Sequence, residues 1–340
     1  MNMWYGINNR SGREGRGMPG RKSRMIGCLL GGAIGDAMGY PVEFMRYSDI
    51  ARRFGGAGVR DLSVSNLISD DTQMTLFTAE GLLNGLKTGK SLTKSVYRSY
   101  LRWYYTQSKS KMPGAKYEGG LLNEAEFFAN RAPGSTCLSS LSSGIMGTLA
   151  DPINNSRGCG GVMRVAPCAV FPDAFTLGCR VAAITHGHPG GYIPAGALAA
   201  LLQKLYYGQS LPDAVEDVIA ELGEVEGAES TQEALRHAVA LAEEGRPCAP
   251  TVHELGEGWV GEEALAIAVY SALSFPTDFP QALRLAVNHD GDSDSTGAIC
   301  GNIMGMLLGA GAIPVEWRDG VELCNVIRAY AVRLSTIPQE

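Results

Sequence analysis

Residues 25–44 read MIGCLLGGAIGDAMGYPVEF, and whether this stretch crosses a membrane or lies inside a protein decides what kind of molecule the chain is. It is the most membrane-like segment present, yet it carries Asp36 and Glu43 and is broken at Pro41. A span needs about 20 uninterrupted apolar residues, and an ionised group at mid-bilayer costs several kcal/mol. The stretch therefore reads as a buried helix of a globular protein. Gly27, Gly31, Gly35 and Gly39 recur at every fourth position, which leaves one smooth helix face where another backbone can approach closely. Each such glycine costs a helix up to about 1 kcal/mol relative to alanine, so packing or a site must offset the cost. Pro41 is expected to end the helix near residues 38–40, which leaves Glu43 on the loop just beyond.

Outward from this helix the same periodicity continues. Apolar residues recur at three and four over roughly 25–38, 72–86, 91–106, 119–130, 137–149, 162–170, 174–186, 192–207, 211–222, 229–245, 259–273, 279–288, 294–308 and 318–333. Strand-like alternation is confined to VRDLSVSNL at 59–67, and no βαβ rhythm or low-complexity linker divides the chain. The expectation is an all-α, compact single domain over residues 25–340. With 340 residues, 45% of them hydrophobic, the chain can fill a large core. A net charge of -6 argues against a nucleic-acid partner. The first residues, MNMWYGINNR, lack the apolar core of a signal peptide. Eight scattered cysteines without a CxxC pair fit free thiols in a reducing cytoplasm. Residues 1–24 differ in character: Arg10, Arg13, Arg16, Arg21, Lys22 and Arg24 face the single acid Glu14, and the segment reads as a flexible basic arm.

Two acidic clusters carry the chemistry. SDDTQMTLF at 69–77 sets Asp70 and Asp71 against the start of a helical pattern. Helix capping accounts for such residues; so does a metal site, if further oxygen ligands arrive from elsewhere. GDSDSTGAICGN at 291–302 repeats the layout, with Asp292, Asp294, Ser295 and Thr296 at the start of a helix rich in small residues. It is not a calcium hand, because Gly301 stands where the bidentate glutamate would fall. Taken together, Ser69, Asp70, Asp71, Asp292, Asp294 and Ser295 form an all-oxygen ligand set that favours Mg²⁺ or Mn²⁺ over Zn²⁺. That many carboxylates in one place call for two ions rather than one.

Other segments allow two readings each. RGCGGVMRVAP at 157–167 is a glycine-rich turn without the strand or lysine of a nucleotide-binding loop. It is either a tight turn or a place where backbone N–H groups of Gly158, Cys159, Gly160 and Gly161 face phosphate or ribose. Arg164 could pair with a surface acid or contact phosphate. His186 and His188, two apart in THGHP, do not share a helical face and suit hydrogen bonding or stacking on a ligand better than zinc.

As an ordered set these motifs resemble the ADP-ribosylglycohydrolase family over residues 25 to about 333. GCLLGGAIGDAMGYPVEF is similar to the family's N-terminal motif, SDDTQMTLF to its first metal motif and GDSDSTGAICGN to its second, while MRVAP and THGHP complete the order. The resemblance implies an all-α fold with a binuclear Mg²⁺ centre in a cleft. It makes Ser69, Asp70, Asp71, Asp292, Asp294 and Ser295 the ligands, and gives Asp36, Glu43, Asp70 and Asp292 catalytic roles. Gly158–Gly161, Arg164, His186 and His188 would bind the ADP-ribosyl group. Two departures stand out: Cys159 replaces an asparagine common in the glycine-rich loop, and Ser69 and Ser295 replace threonines, keeping the oxygen. The implied activity is hydrolysis of the N-glycosidic bond between ADP-ribose and protein arginine. Some bacterial relatives are similar to immunity proteins against ADP-ribosyltransferase toxins. The arm, with Met3, Trp4, Tyr5 and Ile7 near its tip and Arg10 or Arg13 as a substrate mimic, would then engage a cognate ADP-ribosyltransferase toxin. The alternatives are a non-catalytic protein that occludes such a transferase and a hydrolase for another ADP-ribose linkage.

Overall fold

The computed structural model describes residues 18–338. Among the described residues fifteen α-helices follow one another. The first eight are α1 (Arg21–Gly39), α2 (Tyr47–Phe54), α3 (Asp70–Thr88), α4 (Leu92–Ser108), α5 (Ser135–Ser142), α6 (Ala174–Ala183), α7 (Pro189–Tyr206) and α8 (Leu211–Leu222). Then come α9 (Glu229–Glu243), α10 (Ala249–His253), α11 (Gly261–Ser274), α12 (Phe279–Val287), α13 (Ser293–Leu308), α14 (Val315–Gly320) and α15 (Cys324–Ser335). The all-α expectation holds. Among the described residues the sole β contact is an isolated antiparallel bridge between Gly158 and Val260. The segment expected as a strand forms none: it turns over residues 61–64 and pairs with no strand. Its Val59 exchanges hydrogen bonds with the side chain of Asn288 instead.

The glycine face of α1 meets a second glycine face on α13. The two helices run antiparallel in a four-residue register that sets Gly27 against Gly305, Gly31 against Gly301, Gly35 against Gly297 and Gly39 against Ser293. A β-carbon on Gly35 would lie 1.9 Å from the carbonyl oxygen of Gly297, and one on Gly301 2.0 Å from that of Gly31. The backbones therefore touch, which neither helix could do with side chains in between. This contact offsets the propensity cost of the glycines, and it fixes where the two helices end. The C-terminus of α1 and the N-terminus of α13 lie side by side. Helix α1, the one described helix long and apolar enough to cross a membrane, is buried over most of its length in protein.

Several boundaries differ from the sequence reading. Helix α1 starts at Arg21, inside the segment read as an arm. Arg24 is buried and donates to the carbonyls of Met306 and Leu307 at 3.0 Å each, where a cation complements the C-terminal end of α13. Residues 1–17 of the expected arm, including Met3, Trp4, Tyr5, Ile7, Arg10 and Arg13, lie outside the described residues. The helix expected over 119–130 is two 3₁₀ turns, Gly120–Asn123 and Ala125–Phe128, because Gly119 and Gly120 hold positive φ and Glu124 is extended. The pattern at 162–170 likewise contains only a 3₁₀ turn, Ala166–Val170, with Pro167 unable to donate. The pattern at 318–333 splits into α14 and α15 at Leu323, which has φ +57°. Short helices α2 and α10 were too brief to show a period.

Candidate metal centre

Two helix starts and one helix end build the site. At the end of α1 the chain turns through a 3₁₀ segment, Tyr40–Val42, with Pro41 in it. Glu43 closes this turn by donating its N–H to the carbonyl of Gly39 at 3.0 Å. Phe44 follows with φ +65°, a conformation that bulky residues adopt only under outside restraint. Two contacts supply the restraint. Its N–H donates to Gly291 at 3.2 Å, and its ring stacks on Trp259 with centroids 5.1 Å apart and planes at 21°.

Because α1 and α13 pair by backbone contact, this turn arrives beside the start of α13. Asp292 caps that helix, accepting from Ser295 N–H at 3.2 Å, and Asp294 accepts from the same group at 3.0 Å. Oxygens of Glu43, Asp292 and Asp294 all lie within 4.8 Å of one another. The third contribution comes from α3. Ser69 caps it through Asp71 N–H at 3.2 Å, and Asp70 accepts from Gly134 N–H at 3.1 Å. Both sequence clusters line a single cleft of about 390 Å³, with Glu43, Asp70, Asp71, Asp292, Asp294 and Ser295 in its wall. Residues of the same two clusters therefore cap their helices and line the cleft.

The electrostatics of the cleft are one-sided. Among the described residues it is lined by Glu43, Asp70, Asp71, Asp292 and Asp294 and by no lysine or arginine. Burial first, and the neighbouring carboxylates second, push Glu43 up to about 8. Burial pushes Asp70 up to about 8 as well, with Asp36 and Asp292 adding repulsion against the hydrogen bond from Gly134. Asp71 and Asp294 lie well above the usual carboxylate range for the same reasons. Among the described residues one buried oxygen of Asp71 has no hydrogen-bond partner, a costly condition for a buried charged group. A hard divalent cation would answer both features, since it would offset the clustered charge and give the unpartnered oxygen a partner. The residues present fit such an ion.

The other expected site residues divide. Asp36 is fully buried and does not line the cleft. It accepts from Ser69 N–H at 3.0 Å, Thr72 N–H at 3.1 Å and the Thr72 hydroxyl, so it ties α1 to the first turn of α3 and holds the 69–72 segment in place. Its expected catalytic role gives way to positioning. These hydrogen bonds oppose burial, which lifts Asp36 to about 6. Ser69 too lies beneath the wall rather than in it. Gly158, Cys159, Gly160 and His186 do line the cleft. The Cys159 thiol donates to Asp292, and burial holds its ionisation well above the usual thiol range. Burial, with the Arg164 cation nearby, lowers His186 to about 3, so the ring is neutral.

Gly161, Arg164 and His188 lie outside the cleft wall. Gly161 packs on α7, where a β-carbon would come within 2.5 Å of Gly191. His188 caps α7 by accepting from Gly190 N–H at 2.9 Å. Arg164 is 0% exposed, neither a surface ion-pair partner nor a cleft group. Its guanidinium sits 4.5 Å over the Tyr100 ring and donates to Thr185 at 2.6 Å. Sequence reasoning missed the rim: Phe44, 70% exposed, and Trp259, 36% exposed, stand at the mouth. Phe44 sat inside a quoted motif, but Trp259 belongs to an unremarkable loop and offered no signal.

The ADP-ribosylglycohydrolase family model matches residues 18–340. A protein of Archaeoglobus fulgidus described as uncharacterized is 28% identical over 90% of this chain and 94% of its own length. The ADP-ribosylarginine hydrolase Tri1 of Pseudomonas putida is 26% identical, covering 92% of this chain and 77% of that protein. The ADP-ribosyl-[dinitrogen reductase] glycohydrolase of Rhodospirillum rubrum is 25% identical over 90% of this chain and 92% of that protein. Among solved structures, a chain of an ADP-ribosylglycohydrolase-related protein complex superposes with TM-score 0.64 at 27% identity, covering 94% of this chain and 99% of that one.

Proposed function

The chain belongs to the ADP-ribosylglycohydrolase family, and from that premise we propose that it is a Mg²⁺-dependent hydrolase that cleaves the N-glycosidic bond between ADP-ribose and arginine on proteins. The observation that carries this reading is the convergence of Glu43, Asp70, Asp71, Asp292 and Asp294 on one cleft that, among the described residues, holds no lysine or arginine. Two ions, Mg²⁺ or alternatively Mn²⁺, would be held by Asp70, Asp71, Asp292, Asp294 and Ser295, with Ser69 beneath. When bound, they supply charge neutralisation and a Lewis acid toward ribose hydroxyls and water.

The chain's own groups do the rest. The aspartates present negative charge where the anomeric carbon becomes cationic during glycosidic cleavage. Glu43, half-buried between the α13 carboxylates and the rim, holds or moves a proton at its carboxylate, or positions the leaving side chain. Backbone groups of Gly158, Cys159 and Gly160 and the neutral His186 ring offer hydrogen bonds to an ADP-ribosyl group. Phe44 and Trp259 flank the entrance. Arginine is favoured as the linked residue because the Tri1 relative is named for it, while the other named relative is a glycohydrolase of ADP-ribosylated dinitrogen reductase. Supplying arginine-ADP-ribosylated protein with Mg²⁺ should release free ADP-ribose. Intact metal binding without release would refute the hydrolase reading and leave the non-catalytic one. Serine-linked and O-acetyl-ADP-ribose substrates, assayed beside it, fix the linkage.

A cytoplasmic location and an immunity role complete the proposal. Every cysteine is free, as a reducing compartment would keep it. The expected arm, residues 1–24, is proposed to engage a cognate transferase toxin. Deleting residues 1–20 should preserve hydrolysis and weaken toxin binding, and unchanged toxin affinity would remove the arm from this role.

A further inference from the structure

A second hollow, of about 650 Å³, opens at the opposite end of α3 from the acidic cleft. Asp71 and Lys87 lie on the same helix, about 24 Å apart at 1.5 Å per residue. The walls come from the last turns of α3, the first half of α4, the 114–120 loop and the end of α15. Its floor is built and rigid. Arg102 donates to Glu80 from Nε at 2.9 Å and from Nη2 at 3.2 Å, and Glu80 also accepts from Ser99 at 2.7 Å and Leu121 N–H at 3.1 Å. Arg102 further holds the loop by donating to Gly119 at 2.6 Å and Glu118 at 3.2 Å.

Above this floor stand Lys87, Lys90, Arg98, Lys116 and Arg333, all exposed. Among the described residues none of them has a carboxylate within ion-pair distance. Arg333 is steadied by the Tyr330 ring at 5.1 Å. With Glu80 committed to Arg102, Glu118 is the remaining acid in the wall. A chain of net charge -6 that gathers this many unpaired cations around one concavity concentrates positive potential there.

We propose that this hollow binds a small, multiply charged phosphate anion, an oligophosphate or the phosphate chain of a nucleotide, independently of the acidic cleft. Its volume falls in the range of small-ligand sites, about 300–1,000 Å³. Cations on four separate elements can be met at once only by a ligand with several charges. The forks of Arg98 and Arg333 suit phosphate oxygens pairwise. The concave shape and the acidic remainder of the chain disfavour a long nucleic acid. Since the cations are exposed, binding is salt-sensitive.

The test uses the full chain in metal-free buffer, with tripolyphosphate as probe in a calorimeter at low and at high salt. Tripolyphosphate should bind at low salt. Affinity should fall on the order of tenfold or more in an Arg98→Gln/Arg333→Gln variant, and again with salt. Melting temperature and Mg²⁺-dependent ADP-ribose release should stay at wild-type values, because neither residue touches the cleft. ATP binding more tightly than tripolyphosphate identifies a nucleotide as the ligand; equal binding identifies free oligophosphate. Absence of binding at millimolar probe, equal affinity in the variant, or tighter binding of a single-stranded oligonucleotide would overturn the proposal.

Discussion

Replacing Gly35 with alanine tests whether the α1–α13 backbone contact holds the molecule and its cleft together. In an ordinary helix this change is favourable by up to about 1 kcal/mol. Here the new β-carbon would sit 1.9 Å from the Gly297 carbonyl oxygen and 2.3 Å from its carbon. Non-bonded carbon–oxygen contacts do not close below about 3.0 Å, so the helices must part by about 1 Å. The obstacle is backbone inside a helix, which cannot rotate away as a side chain would. Overpacking of this kind costs about 1–3 kcal/mol, and the upper end applies. The net expectation is a loss of about 1–2 kcal/mol despite the better helix former. Gly320→Ala serves as the control, since nothing lies within 4 Å of the added carbon and stability should hold or rise slightly. Urea unfolding of both variants reads the contrast. A Gly35→Ala protein that unfolds at the same or higher urea concentration than wild type would refute the close-contact argument.

Asp294→Ala should abolish both Mg²⁺ uptake by calorimetry and ADP-ribose release, and EDTA should silence the wild type equally; normal Mg²⁺ uptake by the variant would contradict its place among the ligands. Glu43→Gln should keep metal binding and lose roughly 10²–10⁴ in rate, the range of a general acid–base group; an unchanged kcat would take Glu43 out of the chemistry. Trp259→Ala removes the ring that restrains Phe44 in its positive-φ conformation, so kcat should fall more than KM rises, and unaltered kinetics would show the stack to be idle. Without metal, the pH dependence of stability has a definite sign. Glu43 and Asp70 move from 4.5 and 3.8 up to about 8 on folding, so between those limits the folded protein binds more protons than the unfolded chain and stability falls as pH rises. In EDTA the melting temperature should drop from about pH 5 to pH 8, with Mg²⁺ restoring most of it at pH 8; a flat metal-free profile would mean the carboxylates are not crowded in solution.

The sequence by itself determined the helical class, because a 3.6-residue period repeats along nearly the whole chain and is a local property. It also marked the acidic residues of the site, since helix caps and ligands draw on the same residue types and left a repeated pattern at 69–72 and 292–296. The glycines of α1 announced a close neighbour without naming it. Only the tertiary structure paired them with Gly297, Gly301 and Gly305, and that pairing brings Glu43 to Asp292 and Asp294 across some 250 residues of chain. Burial was the other quantity hidden from sequence. Asp36 and Glu43 share one motif, yet the first is sealed beneath the site as a brace and the second stands in its wall. Arg164 followed the glycine-rich loop and was expected to face ligand or solvent, but the next turn points it inward onto Tyr100. Trp259 reaches the rim from a loop with no pattern of its own. Local periodicity is written in neighbouring residues; which polar group faces water, metal or core is set by contacts among distant ones.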